Sequence, residues 1–317
     1  MNKEIHLRNG EGYDKYIYLL EQTTAWIAEQ YHTSPDFIRF TCGATGALDA
    51  ILSLFDKGSV IGTMPFEYFD VRRLAEARNL IISTQEQPNN VYLNSIETFI
   101  GWLKETKPDG CYISWPNNPN GQEYSKEYLK DIFTVMKGKI VIVDQSLLAD
   151  QVIPFEWFLA NRAQSRLFVV RSFSKSHGLV GERIGMLFSY EELHKIHTYA
   201  HAPSASSLQN VRKKWKSNYA IGRLRMINKN CVRMTTWGNG HQNLFVAPSR
   251  TNCACIHFYH ASAQDISRHL KDSGIFVNSN TDLGIGGNFI RVDITVPTKS
   301  IKMLMSCIDV YFGARET

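Results

Sequence analysis

Short β-branched runs alternate with amphipathic stretches through the first two-thirds of this chain, and no other feature constrains its fold as much. Residues 38–41, 59–63, 80–83, 110–114, 140–143, 167–170 and 184–188 read as strands. Helical periodicity fills 44–55, 68–78, 95–105 and 126–136 between them. Several of the strands are apolar on both faces, which suits a mostly parallel sheet covered by helices on both sides. A seven-stranded-type α/β sheet is the expected architecture. The rhythm changes near Glu191. A long tract with few helix breakers, 208–236, reads as one linking helix. Strand-like runs at 244–246, 254–259, 275–277 and 289–294 follow, with helices at 265–271 and 300–311. The expected division is an N-terminal segment over 1–30, a large domain over 31–200, and a linking helix with a smaller α+β domain over 201–317.

Composition narrows the classes. Of the 317 residues, 44% are hydrophobic and 21% charged, ordinary values for a globular chain with a real core. A net charge of +5 without any run of five basic residues suits a small anionic ligand better than nucleic acid. The six cysteines make no CxxC pair, so neither a metal site nor a disulfide framework is expected. No apolar run approaches the ~20 residues of a membrane span, and Met1–Tyr13 lacks the apolar core of a signal peptide. A cytoplasmic protein with no membrane partner is the expectation.

Four local motifs could carry chemistry, and their order matters more than any one alone. Thr41-Cys42-Gly43-Ala44-Thr45-Gly46-Ala47 joins a strand to a helix, where backbone N–H groups favour a phosphate. It lacks the Lys-Ser/Thr of a P-loop. Trp115-Pro116-Asn117-Asn118-Pro119-Asn120-Gly121 follows a strand and, taken alone, is a turn. Val141-Ile142-Val143-Asp144 ends an apolar strand in a carboxylate, at the sheet edge where α/β folds bind ligands. Such an anion needs a cationic partner, a capping role, or a salt bridge. Last comes Ser172-Phe173-Ser174-Lys175-Ser176-His177-Gly178, continued by Gly181, Arg183 and Gly185. Small residues let a ligand approach the backbone, the hydroxyls and Arg183 can donate to a phosphate, and Lys175 can condense with an aldehyde.

In this order the motifs resemble those of fold-type I pyridoxal-phosphate (PLP) enzymes of the class I/II aminotransferase group, most of all histidinol-phosphate aminotransferases. The similarity runs from about Arg39 to Pro297. The resemblance implies that Lys175 carries the cofactor as a Schiff base and serves as general acid/base. Asp144 is then the partner of the pyridine nitrogen, and Asn118 that of the ring hydroxyl. Ala44, Thr45, Ser172, Ser174 and Arg183 correspond to the phosphate ligands. Either Phe66 or Tyr68, in Pro65-Phe66-Glu67-Tyr68, corresponds to the aromatic residue stacked on the ring. Arg291 corresponds to the arginine that grips the substrate α-carboxylate, a task suited to a planar guanidinium. Asn252 resembles a substrate-side residue, and Tyr13 a tyrosine that reaches a neighbouring subunit's phosphate. Transfer of an amino group between an α-amino acid and a 2-oxo acid is implied, as is a homodimer.

The chain departs from the pattern at two places. Leu147 stands where these enzymes often carry a tyrosine three residues after the strand-end aspartate, and Gln145 replaces the familiar acidic residue. A missing hydroxyl donor beside the ring changes the ionisation of the cofactor. This leaves a decarboxylase of the threonine-phosphate type, or an eliminating or cyclising enzyme, as the alternative on the same scaffold.

Overall fold

The computed structural model describes residues 11–86, 93–147, 153–190, 193, 196, 202–215 and 218–313. Its larger sheet has seven strands: β1 (Ile38–Thr41), β2 (Val60–Thr63), β3 (Ile81–Thr84), β4 (Gly110–Ser114), β5 (Ile140–Gln145), β6 (Arg166–Ser172) and β7 (Gly185–Ser189). Their order is β1-β7-β6-β5-β4-β2-β3. All neighbours pair in parallel except β7, which runs antiparallel to both β1 and β6. The mostly parallel α/β sheet expected from the alternation is therefore what the chain forms.

One face of this sheet buries Phe40, Ile113, Val141, Val143 and Val169 together with Ile27, Phe133 and Leu208. The other buries Ile61, Tyr112, Ile142 and Val170 beneath Leu48, Ile51 and Val71. Side chains alternate across a strand, so Ile142 and Asp144 share the second face. The helices between the strands are α2 (Gly43–Leu52), α3 (Asp70–Ala77), α4 (Ile96–Thr106), α5 (Glu127–Val135), α6 (Phe155–Asn161) and the single turn α7 (Phe173–Ser176). Ser95 caps α4 by accepting the Thr98 N–H at 3.3 Å. An N-terminal helix, α1 (Glu11–Gln30), lies in the segment left unassigned from periodicity and sends Ile27 and Ala28 into the first face.

The tract expected to be one linking helix is two, α8 (Ala205–Lys214) and α9 (Tyr219–Asn239). They serve different cores. Leu208 and Val211 of α8 pack on the large sheet, while Ile227 and Met234 of α9 pack on the smaller one. Between them Trp215 stacks on His177 at 5.2 Å and meets Trp26 edge-on at 5.5 Å. A straight rod through 208–236 could not hold that indole in the large core and also serve the small one.

The smaller sheet comprises β8 (Leu244–Val246), β9 (Cys253–Phe258), β10 (Asn278–Ser279) and β11 (Phe289–Asp293), ordered β10-β11-β9-β8 and antiparallel throughout. Helices α10 (Ala263–Asp272) and α11 (Thr298–Gly313) cover it. The strand expected at 275–277 is absent. Gly274 adopts φ +78°, and the Ile275 N–H bonds the Leu270 carbonyl, so this stretch closes the end of α10 instead of joining the sheet.

Candidate active site

Parallel pairing puts the carboxyl ends of β2, β4, β5 and β6 on one edge of the large sheet, together with the end of β1 and the start of β7. Ser114 lies opposite Asp144, and Asp144 opposite Val170. The four motifs therefore converge, because each sits at or just beyond one of these strand ends.

At the end of β1, Gly43 adopts φ +70° and opens α2. The N-cap Cys42 makes no side-chain cap bond, which leaves first-turn N–H groups for another acceptor. A Cβ on Gly43 would lie 2.9 Å from Nη2 of Arg183, and one on Gly185 would lie 2.6 Å from the Gly43 carbonyl carbon. Two glycines thus let β7 and the Arg183 guanidinium close over the start of α2. Cationic donors and helix amides facing one point form a cradle for a phosphate. Arg183 itself is exposed and sits at φ +49°. Thr45 reaches from this turn to the Tyr68 hydroxyl.

Asp144 is 5% exposed. Its Oδ2 accepts the Tyr112 hydroxyl at 2.9 Å and its Oδ1 accepts the Ser146 N–H at 2.8 Å. Burial raises its pKa, and those hydrogen bonds oppose the rise. Both of these partners are neutral, so the buried carboxylate at this edge suits a cationic ligand. Lys175 is half-buried on α7, directly after β6. The Ser172 hydroxyl caps that turn by accepting the Ser174 N–H at 3.1 Å, and Ser174 is buried.

Between β2 and α3 the two aromatic candidates separate. The Tyr68 hydroxyl donates to Asp70 at 2.5 Å. Burial, Asp70 and Asp144 raise its pKa, while the bond with Thr45 lowers it. Tyr68 therefore belongs with the cradle and the buried aspartate. Phe66 turns the other way, edge-on to Phe289 at 6.1 Å and His257 at 6.3 Å, within the small-sheet core. Its apolar ring is better buried there, so the structure does not bring it to the edge. A cavity of about 270 Å³ lies between Tyr68 and the Gly284–Gly286 loop.

The Asn117–Gly121 turn lies between the two sheets. Gly121 has φ +73°, and a Cβ there would collide with Ser249 Oγ. Cys253 and Cys255 point their thiols at the Pro119 carbonyl, 3.3 and 3.4 Å away. Arg291 pairs with Cys255 across the small sheet, and its Nε is buried with no hydrogen-bond partner among the described residues. Asn252 is buried beside this strand, and the Ile294 N–H bonds its carbonyl. The turn that carries Asn118 and the strand paired with β9 that carries Arg291 thus lie at the same junction. Tyr13, 48% exposed on α1, is not joined to it by any described contact.

Two residues of the site escaped the sequence reading. Glu67 is buried, and Tyr112 holds Asp144. A lone acid in an aromatic loop reads as solvated, and a tyrosine in an apolar strand reads as core. Leu147, where a tyrosine is often found, lines a second cavity of about 410 Å³ with Gln145, Arg171 and Ser176.

The family described as Aminotransferase class I and II matches residues 12–308. The chain belongs to that family. Within this aminotransferase family it is 23% identical over 85% of its length to an L-serine phosphate decarboxylase of Campylobacter jejuni, covering 73% of that protein. It is 25% identical to a histidinol-phosphate aminotransferase of Caldanaerobacter subterraneus, over 77% of this chain and 69% of that one. Against several other curated relatives the match spans about half of their length (46–48%). The histidinol-phosphate aminotransferase of Sinorhizobium meliloti, solved with pyridoxal 5'-phosphate, superposes with a TM-score of 0.75 at 19% identity, over 91% of this chain and 80% of that one. This aminotransferase-family chain is a PLP enzyme, and its residues fit the cofactor: a guanidinium-roofed helix start for the phosphate, and a buried carboxylate with neutral partners for a ring cation.

Proposed function

We propose that this protein is a PLP-dependent aminotransferase that moves an amino group between an α-amino acid and a 2-oxo acid. The observation that carries the reading is the gathering, at one sheet edge, of Lys175, the buried Asp144 and the Arg183-covered start of α2. When bound, PLP supplies an electron sink and a carbon that accepts the amino group. The remaining work falls to the chain. Ala44, Thr45, Ser172, Ser174 and Arg183 hold the phosphate. Asp144 would hold a proton on the pyridine nitrogen, Asn118 would donate to the ring hydroxyl, and Tyr68 would pack on the ring. Lys175 anchors the cofactor and then moves a proton at the substrate Cα. Arg291, aided by Asn252, would grip the α-carboxylate; its buried Nε, which has no hydrogen-bond partner among the described residues, supports that role. The enzyme acts as a cytoplasmic homodimer, with Tyr13 reaching the partner's phosphate site. No described helix is long and apolar enough to cross a membrane. The domains divide as an N-terminal segment to 30, a large domain over 31–200 and a small one over 201–317, with α8 packing on the large side.

Borohydride reduction followed by peptide mapping tests the anchor: the phosphopyridoxyl mass is expected on Lys175 and is absent from Lys175→Ala. Mixing the purified protein with single amino acids and then with 2-oxoglutarate tests the reaction. The expected result is conversion of bound cofactor to its amine form and back, with release of an oxo acid. A protein that carries no PLP, or one labelled at another lysine, overturns the reading. Leu147 and the decarboxylase relative favour a second reading, loss of the α-carboxyl group. Carbon dioxide without any amine form would establish that one instead.

A further inference from the structure

Glu67 is a buried acid that the reaction as described leaves without a task. It follows β2, and its carboxylate accepts the Ser114 N–H at 3.1 and 3.2 Å and also the Ser114 hydroxyl. Ser114 Oγ in turn accepts the Asn118 N–H at 2.8 Å and the Asn117 amide at 3.3 Å. With two donors already pointing at its lone pairs, that hydroxyl must give its own hydrogen to Glu67. The other side of the loop is tied as firmly. The Phe66 carbonyl accepts Asn117 Nδ2 at 2.7 Å and Asn94 Nδ2 at 2.9 Å. Glu67 therefore clamps the loop that carries Tyr68 to the turn that carries Asn118.

We infer that Glu67 is a positioning residue: acting through Ser114, it fixes Asn118, and with it the donor to the cofactor's ring hydroxyl. This rests on the reading of Asn118 given above. Burial raises the Glu67 pKa well above the usual carboxylate range; the Ser114 bonds oppose the rise and nearby Asp144 adds to it.

The test is the pH midpoint of the bound cofactor's absorbance change in holoenzyme variants. A donor to the ring oxygen favours its ionised form, so losing the donor raises the midpoint. Asn118→Ala should raise it by about one pH unit. Glu67→Ala and Ser114→Ala should raise it similarly, Glu67→Gln should restore it, and Glu67→Ala added to Asn118→Ala should move it no further. If Glu67→Ala does not fold, Ser114→Ala and Glu67→Gln carry the comparison. A midpoint that moves with Asn118→Ala but ignores Glu67→Ala and Ser114→Ala, or shifts that simply add, overturns the role of Glu67 alone. A midpoint that ignores Asn118→Ala overturns the Asn118 assignment, and the Glu67 inference falls with it, while labelling of Lys175 is untouched.

Discussion

At the residue scale, the site is built as much by what is missing from side chains as by what is present. Gly121 is the clearest case, since a left-handed backbone and a blocked Cβ direction both exclude any other residue. Gly121→Ala should destabilise the protein by about 2 kcal/mol or more, read from the urea midpoint. The positions most legible in the sequence were those fixed by motif spacing: Asp144 lies near the end of β5, Asn118 and Lys175 a few residues past β4 and β6, and Arg183 just before β7. Choosing between Phe66 and Tyr68 was beyond the sequence. Two aromatic residues two positions apart differ only in which sheet they meet, and that is a tertiary fact. Glu67 was hidden for a related reason: burial of an acid depends on a neighbouring strand's serine, which lies 47 positions away.

Among the elements, strands were read more accurately than helix ends. Apolar strands such as β4 and β5 carry their own signal, whereas α1 mixes aromatic and threonine residues and shows its buried stripe only against the large core. The α8–α9 division was invisible because no proline or glycine marks it; Trp215 does so through its packing. Helix α1 is therefore part of the large core. Ile27→Ala, at a fully buried position, should cost about 2–5 kcal/mol by thermal or urea unfolding. Ser95→Ala removes a cap at the solvent side of α4 and should cost only about 1 kcal/mol by the same measurement.

For the whole molecule, two buried titratable groups set opposite limbs of the stability profile. His257 lies among Phe66, Phe245 and Phe289, and burial lowers its pKa to about 3. The unfolded chain, with a histidine pKa near 6.5, takes up a proton first as the pH falls. Stability from the neutral imidazole is thus present above about pH 6.5 and is lost as pH drops toward 3, by up to roughly 5 kcal/mol. His257→Leu should flatten this acid limb in urea titrations at successive pH values. Glu67 works in the other direction. Its raised pKa contributes stability below the ordinary carboxylate value, which is lost as pH rises through the folded value. Glu67→Gln should therefore gain on the wild type as the pH climbs from about 4.5 into the neutral range.

The turn from Asn117 to Gly121 is gripped from both sides, by Ser114 and Glu67 below and by the thiols of β9 above. Arg291 hangs from the strand paired with those thiols. Under the proposed roles, the residue that meets the ligand's acid end and the residue that meets the cofactor's ring are therefore fastened to the two sides of one short turn.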